Sequence, residues 1–181
     1  MAKVKVFFDQ PTYTLTYVVY DANSKDAVII DPVLNYDPAS SSYSYESVDE
    51  VMDFVKSQNL KVEYILETHA HADHLTGADE LRKRIPGAKV AIGSKITEVQ
   101  KVFRDIYNFK DWKADGSEFD KLLEDGEGLT SGTITVKTLH TPGHTPACAS
   151  YLINDKMVFT GDALFMPDFG VGRTDFPAGS A

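Results

Sequence analysis

The sequence predicts an α+β fold in which two groups of strands form two sheets with helices packed outside them. Strand-type runs rich in β-branched and aromatic residues fill the first third of the chain and return in the last third. Segments of helical periodicity lie between the two groups. The 181 residues, 43% hydrophobic and 11% aromatic, suffice for one sizeable core and are too few for two independent ones. With no internal repeat, low-complexity tract or linker, residues 1–181 read as a single domain.

Taken in order, "VKVFF" (4–8), "TLTYVVYDA" (14–22) and "DAVIIDP" (26–32) read as strands, the last two joined by the turn-forming "NSKD". The polar, Ser- and Tyr-rich stretch 35–45 reads as a surface loop. A helix follows, with Ser47 and Glu50 in capping-box spacing and Val48, Val51, Met52 and Val55 on one face. "VEYILET" (62–68) is a strand, residues 75–85 a helix stopped by Pro86, and "KVAIG" (89–93) a strand. Ser94 is placed to cap a third helix with Ile96, Val99, Phe103 and Ile106 on one face. Residues 108–128 read as an ordered loop. "TITVKTLHTP", "ACASYLIN" and "KMVFTGDALF" supply the second group of strands.

The formal net charge of −9 excludes phosphate-rich partners such as nucleic acid, whose binders gather Lys and Arg on one face. One cysteine, Cys148, allows no internal disulfide, and its alternation with small residues marks it as a core thiol. "MAKVKVFFDQ" has no signal-type apolar stretch, and no apolar run nears the roughly 20 residues needed to span a bilayer. The expectation is a cytoplasmic protein with no membrane partner.

The informative stretch is "ETHAHADH" (67–74), which holds three of the five histidines and an aspartate. In an extended segment His69 and His71 point the same way, and a turn into a helix lets Asp73 and His74 approach from another direction. Imidazole and carboxylate are ligands for zinc or iron. "HTPGHTPA" and "FTGDAL" offer further ligands in His144, after a Pro-Gly break, and Asp162, where a buried charge calls for a cation beside it. His140 lies outside this pattern and reads as structural.

"THAHADH", "TPGHT" and "TGDALF", in that order, resemble the metallo-β-lactamase superfamily, whose fold is a four-layer αββα sandwich with a metal site at one edge of its sheets. Together with "AVIIDPV", "TPGHTPACASYLI" and "GVGRTDFPAGS", they are most similar to the glutathione-dependent persulfide dioxygenases. That resemblance implies one Fe(II) per chain held by His69, His144 and Asp162. His71, Asp73 and His74 then surround the site as hydrogen-bonding groups, or become ligands in a dinuclear centre. Asp73, Arg173 and Asp175 take catalytic or bracing parts, with Arg173 and Asp175 pairing; Arg173 itself has no lone pair for a metal.

The implied reaction oxidises glutathione persulfide with O₂ to sulfite and glutathione, and a homodimer is compatible with it. The alternative is a thioester hydrolase of the glyoxalase II kind with two Zn(II) ions. A third is a non-catalytic metal-binding module. Family members continue past the "FPAGSA" end, so the resemblance implies a C-terminal part missing here, including a further histidine motif.

Overall fold

The computed structural model describes residues 1–174 and 176. The chain divides into two compact units. The first comprises Met1–Glu67, His71–Val90 and Thr130–Thr135; the second comprises Thr68–Ala70, Ala91–Leu129 and Val136–Ala181.

In the first unit, β1 (Ala2–Asp9), β2 (Thr14–Asp21) and β3 (Asp26–Ile30) form an antiparallel meander. β4 (Val33–Asp37) pairs with β5 (Ser42–Ser44), so the stretch read as a loop is a small hairpin. Its alternating Tyr and Ser favour pleated pairing, and only the Asp37 turn remains irregular, with Asp37 accepting from Ala39 N and Ser40 Oγ. α1 (Glu46–Ser57) buries Val48, Val51, Met52 and Val55, the face the periodicity predicts. Phe54 of this helix meets Phe7 and Tyr20 edge-on, at centroid separations of 5.9 and 5.4 Å.

The capping box is not formed. α1 begins at Glu46 without a side-chain cap, because Ser47 Oγ is drawn away to donate to Asp9 and accept from Asn35. β6 (Lys61–Glu67) runs parallel to β3, and β7 (Leu75–Thr76) pairs with β4. The second helix is shorter than expected: α2 spans Ala78–Arg84, since Leu75 and Thr76 are spent in β7. Gly77 is required there, because a Cβ would lie 2.8 Å from the Val33 carbonyl oxygen.

The unit boundary falls inside β8 (Lys89–Gly93), whose last three residues pair parallel with β9 (Lys121–Leu123) in the second unit. α3 (Ile96–Ile106) begins after Lys95 rather than on a Ser94 cap; Ser94 Oγ donates to Glu124 instead. Ile96, Val99, Ile92 and Ala147 form a core cluster with Phe103 against it, whereas Ile106 is exposed and Gln100 takes the buried place. Each fully buried aliphatic residue contributes roughly 1.5–3 kcal/mol.

The segment 108–120 has no regular structure, but Gln100 anchors it: Gly116 N donates to Gln100 Oε1 and Gln100 Nε2 to Glu118, both at 2.8 Å. A four-stranded sheet follows in the order β10 (Gly128–Ser131), β11 (Ile134–His140), β12 (Ala149–Ile153) and β13 (Met157–Phe159). The strand expected across 156–165 stops at Phe159, and Gly161–Ala163 form one 3-10 turn. Among the described residues no helix is long and apolar enough to cross a membrane.

Candidate metal centre

Three side chains far apart in sequence meet in the second unit. His69 follows the end of β6 and is buried, with the Thr68 carbonyl beside it accepting from Ala149 N at 2.9 Å. His144 sits in the turn between β11 and β12, where Thr141 N bonds to the Cys148 carbonyl and Gly143 N to that of Thr145. Asp162 stands in the 3-10 turn after β13. The His69 and His144 rings lie edge to face, their centroids 5.0 Å apart. Asp162 Oδ2 is 3.9 Å from His69 Nε2 and 3.6 Å from His144 Nε2. Asp162 is not buried, as the sequence suggested; its side chain is 38% exposed, because the strand ends early and the turn lifts the carboxylate toward solvent.

The backbone forces this convergence. Gly161 has φ +49°, and a Cβ there would lie 2.3 Å from Thr68 Oγ1. After Asp162 the chain makes a short loop closed by Gly172 N on the Asp162 carbonyl at 3.1 Å and Phe165 N on the Gly170 carbonyl at 2.7 Å. This loop exposes Leu164, Phe165, Met166, Phe169 and Val171.

The donor set fits a divalent transition metal. His144 Nδ1 lies 2.9 Å from the Arg173 carbonyl oxygen; a carbonyl only accepts, so Nδ1 carries the proton and Nε2 presents its lone pair beside Asp162. His69 Nδ1 is held by Thr68 Oγ1 at 3.0 Å, leaving Nε2 on the Asp162 side. The separations exceed hydrogen bonds and approach the roughly 3–3.5 Å expected between ligands that each stand about 2.0–2.2 Å from one ion. Two imidazoles and a carboxylate are a donor set that zinc and non-haem iron(II) both accept.

The first unit holds two further groups that share His71. His71, Asp73 and His74 form one, and Asp31, Glu67 and His71 the other; in each, the potential ligand atoms lie within 4.8 Å of one another. His71 Nε2 is 3.3 Å from both Asp31 Oδ1 and Glu67 Oε2. Burial alone would lower the pKa of this imidazole, but the hydrogen bonds and negative charges of Asp31 and Glu67 outweigh it and hold it well above the ordinary value. The His74 ring lies 4.2 Å from that of His71 at a tilt of 39°, and its own pKa is lowered, by burial first and by the charge on His71 second. His74 Nδ1 meets Asp73 Oδ1 at 3.2 Å, while its buried Nε2 finds no hydrogen-bond partner among the described residues.

Sequence reasoning missed Asp31 and Glu67. Both close apolar strand runs, "AVIID" and "YILE", where a carboxylate ending a buried strand is the one available signal. Asp31 is 4% and Glu67 2% exposed, and Asp31 takes a left-handed backbone, φ +49°, at the end of β3. Its amide donates to the Leu66 carbonyl and its carbonyl accepts from Thr16 Oγ1.

Of the remaining positions, Asp73 is largely exposed and Arg173 meets His144 through its main chain. Asp175 lies outside the described residues, and with it the expected Arg173–Asp175 pair. His140 Nε2 donates to the Leu123 carbonyl at 3.2 Å, and its amide donates to Asp125. Cys148 is buried, with Thr145 N donating to its sulfur. Neither His140 nor Cys148 belongs to a metal-ligating group among the described residues.

This fold and these histidine–aspartate clusters define a metal-binding enzyme superfamily, and the chain belongs to it: the family model described as "Metallo-beta-lactamase superfamily" matches residues 9–181. The fold is the α+β metallo-β-lactamase fold. Among its relatives is Glyoxylase B2 of Dictyostelium discoideum, 46% identical over 181 residues that span 99% of this chain and 62% of the relative. Human mitochondrial persulfide dioxygenase ETHE1 is 34% identical, over 98% of this chain and 58% of its own length. The crystal structure of ETHE1 from Myxococcus xanthus superposes with a TM-score of 0.75 at 32% identity, covering 98% of this chain and 64% of that one. The chain thus spans less than two thirds of each of these three relatives.

Proposed function

We propose that the chain carries the metal centre of a mononuclear iron(II) persulfide dioxygenase. The observation that carries this is the compact His69–His144–Asp162 set, with Nε2 of both imidazoles on the Asp162 side and the carboxylate partly exposed. The similarity to two ETHE1 proteins supports the same reading. Iron(II) held there supplies open coordination positions for dioxygen and a persulfide sulfur. The chain's own contributions are to fix the tautomer of His144 through the Arg173 carbonyl and to aim Asp162 through the Gly161 turn. In the net reaction glutathione persulfide, O₂ and water give glutathione, sulfite and two protons: the terminal sulfur is oxidised and the S–S bond breaks.

A second reading is a dinuclear zinc thioester hydrolase, in which His71, Asp73 and His74 would help hold a second ion and the pair of ions would supply Lewis-acid and water-activating chemistry. The buried His74 Nε2 favours it, as does the similarity to a protein named Glyoxylase B2. Protein loaded anaerobically with iron(II) and given glutathione persulfide should consume oxygen and release sulfite. Cleavage of S-lactoylglutathione without oxygen uptake would establish the hydrolase instead. Elemental analysis separates them independently, as about one iron or about two zincs per chain.

A further inference from the structure

We infer that β1 is an interaction edge, at which two copies of this chain pair antiparallel about a two-fold axis through Val6. This goes beyond the metal centre and does not depend on it. β1 ends its sheet, with β2 as its one strand partner among the described residues. A strand in that place turns a row of backbone N–H and C=O groups outward, a template for another strand. Folded proteins blunt such rows by keeping them short. The other strands that end a sheet here, β5, β7, β9, β10 and β13, span two to four residues, whereas β1 runs for eight. Its register with β2 is continuous, with no bulge to bend it away, and Phe7 against Phe54 fastens it to α1.

The side chains select both partner and register. Successive residues alternate between faces, so the exposed Val4, Val6 and Phe8 form an apolar stripe on one face. Lys3, Lys5, Phe7 and Asp9 share the other. Edge lysines ordinarily deter pairing, and here they discriminate among registers. Centred on Val6, the pair sets Lys3 opposite the partner's Asp9, Val4 opposite the partner's Phe8, and Lys5 opposite the partner's Phe7. A centre at Lys5 would oppose the two Lys5 ammonium groups, and a centre at Phe7 would leave Lys3 and Val4 beyond the partner strand. Centres midway between residues would set outward-facing backbone groups against inward-facing ones.

In the Val6-centred register each apolar stripe continues the other, and opposite charges meet at both ends. Hydrogen bonds from Thr12 and Ser47 hold the Asp9 carboxylate in place. Lys5 already lies 5.2 Å from the centre of its own Phe7 ring and gains a second ring from the partner. Such an interface is isologous, small and readily reversible.

The test is sedimentation equilibrium of the chain as it stands, at concentrations up to about 1 mM. The expected result is a concentration-dependent monomer–dimer equilibrium, and a chain that stays monomeric throughout overturns the inference. Val6→Lys, which sets two like charges on the axis, should weaken the dimer about tenfold or more; an unchanged dimer overturns it. Val4→Glu and Phe8→Lys read the register. Each variant alone should dimerise more weakly than the parent, and an equimolar mixture should favour the mixed dimer, in which Glu and Lys face each other. No preference for the mixed dimer overturns the inference. Should Val6→Lys not fold, the mixing experiment carries the test by itself.

Discussion

His144 and Arg173 are joined by a 2.9 Å hydrogen bond from the imidazole Nδ1–H to the arginine's backbone carbonyl. A side chain read as a metal ligand is thereby oriented by main chain 29 residues further along. The atom that makes this hydrogen bond belongs to the arginine's backbone and not to its guanidinium.

Arg173→Ala should therefore leave metal content unchanged, because the carbonyl remains. Elemental analysis of the loaded variant checks it; loss of most of the metal would mean that the guanidinium holds the site.

Asp162→Ala should lower metal affinity by at least about a hundredfold, since it removes the oxygen both imidazoles face. His140→Ala should retain the metal and lose about 1–2 kcal/mol of stability with the hydrogen bond to Leu123. Chelator competition and urea unfolding measure the two effects. Equal metal retention in both variants would refute the ligand set.

Gly161→Ala should destabilise by about 1–3 kcal/mol or more, as the new methyl would combine a left-handed backbone with a collision on Thr68. A melting temperature within a degree or so of the parent would refute the turn geometry.

Gln100→Leu should cost about 1–3 kcal/mol by stranding the buried Gly116 amide. Because Gln100 also holds Glu118, limited proteolysis should then cut within 108–120 before the core opens.

Asp26 carries the acid dependence most open to test. Its carboxyl is held below the ordinary value, first by the Ser24 hydroxyl and then by the Thr133 amide. Between the lowered folded value and the higher unfolded one, the unfolded chain binds more protons, so stability rises with pH. This contribution is present above the unfolded pKa and is lost as pH falls through the folded one. Asp26→Asn should flatten the acid limb of stability against pH and leave its slope near neutrality unchanged; an unaltered acid limb would refute the assignment.

How much was legible beforehand follows from what local pattern encodes. The buried face of α1 could be read because four apolar residues repeat at helical spacing. The grouping of positions 69, 144 and 162 comes from the resemblance carried by "THAHADH", "TPGHT" and "TGDALF", each of which falls just past or between strand runs. The Ser47 and Ser94 caps could not, since what draws those hydroxyls away, Asp9 and Asn35 in one case and Glu124 in the other, is distant in sequence. The same holds for Asp31 and Glu67: each is one carboxylate after an apolar run, and only the folded chain places the ring of His71 3.3 Å from both. The 35–45 hairpin was hidden by its polarity, because both its strands lie at the surface.

The closed neck between Asp162 and Gly172 separates two kinds of change. Side chains between positions 164 and 171 project beyond that neck, so substitutions among the exposed ones should leave the placement of Asp162 unchanged. Whatever varies at the tip, the carboxylate keeps its place, because the neck and not the tip sets it.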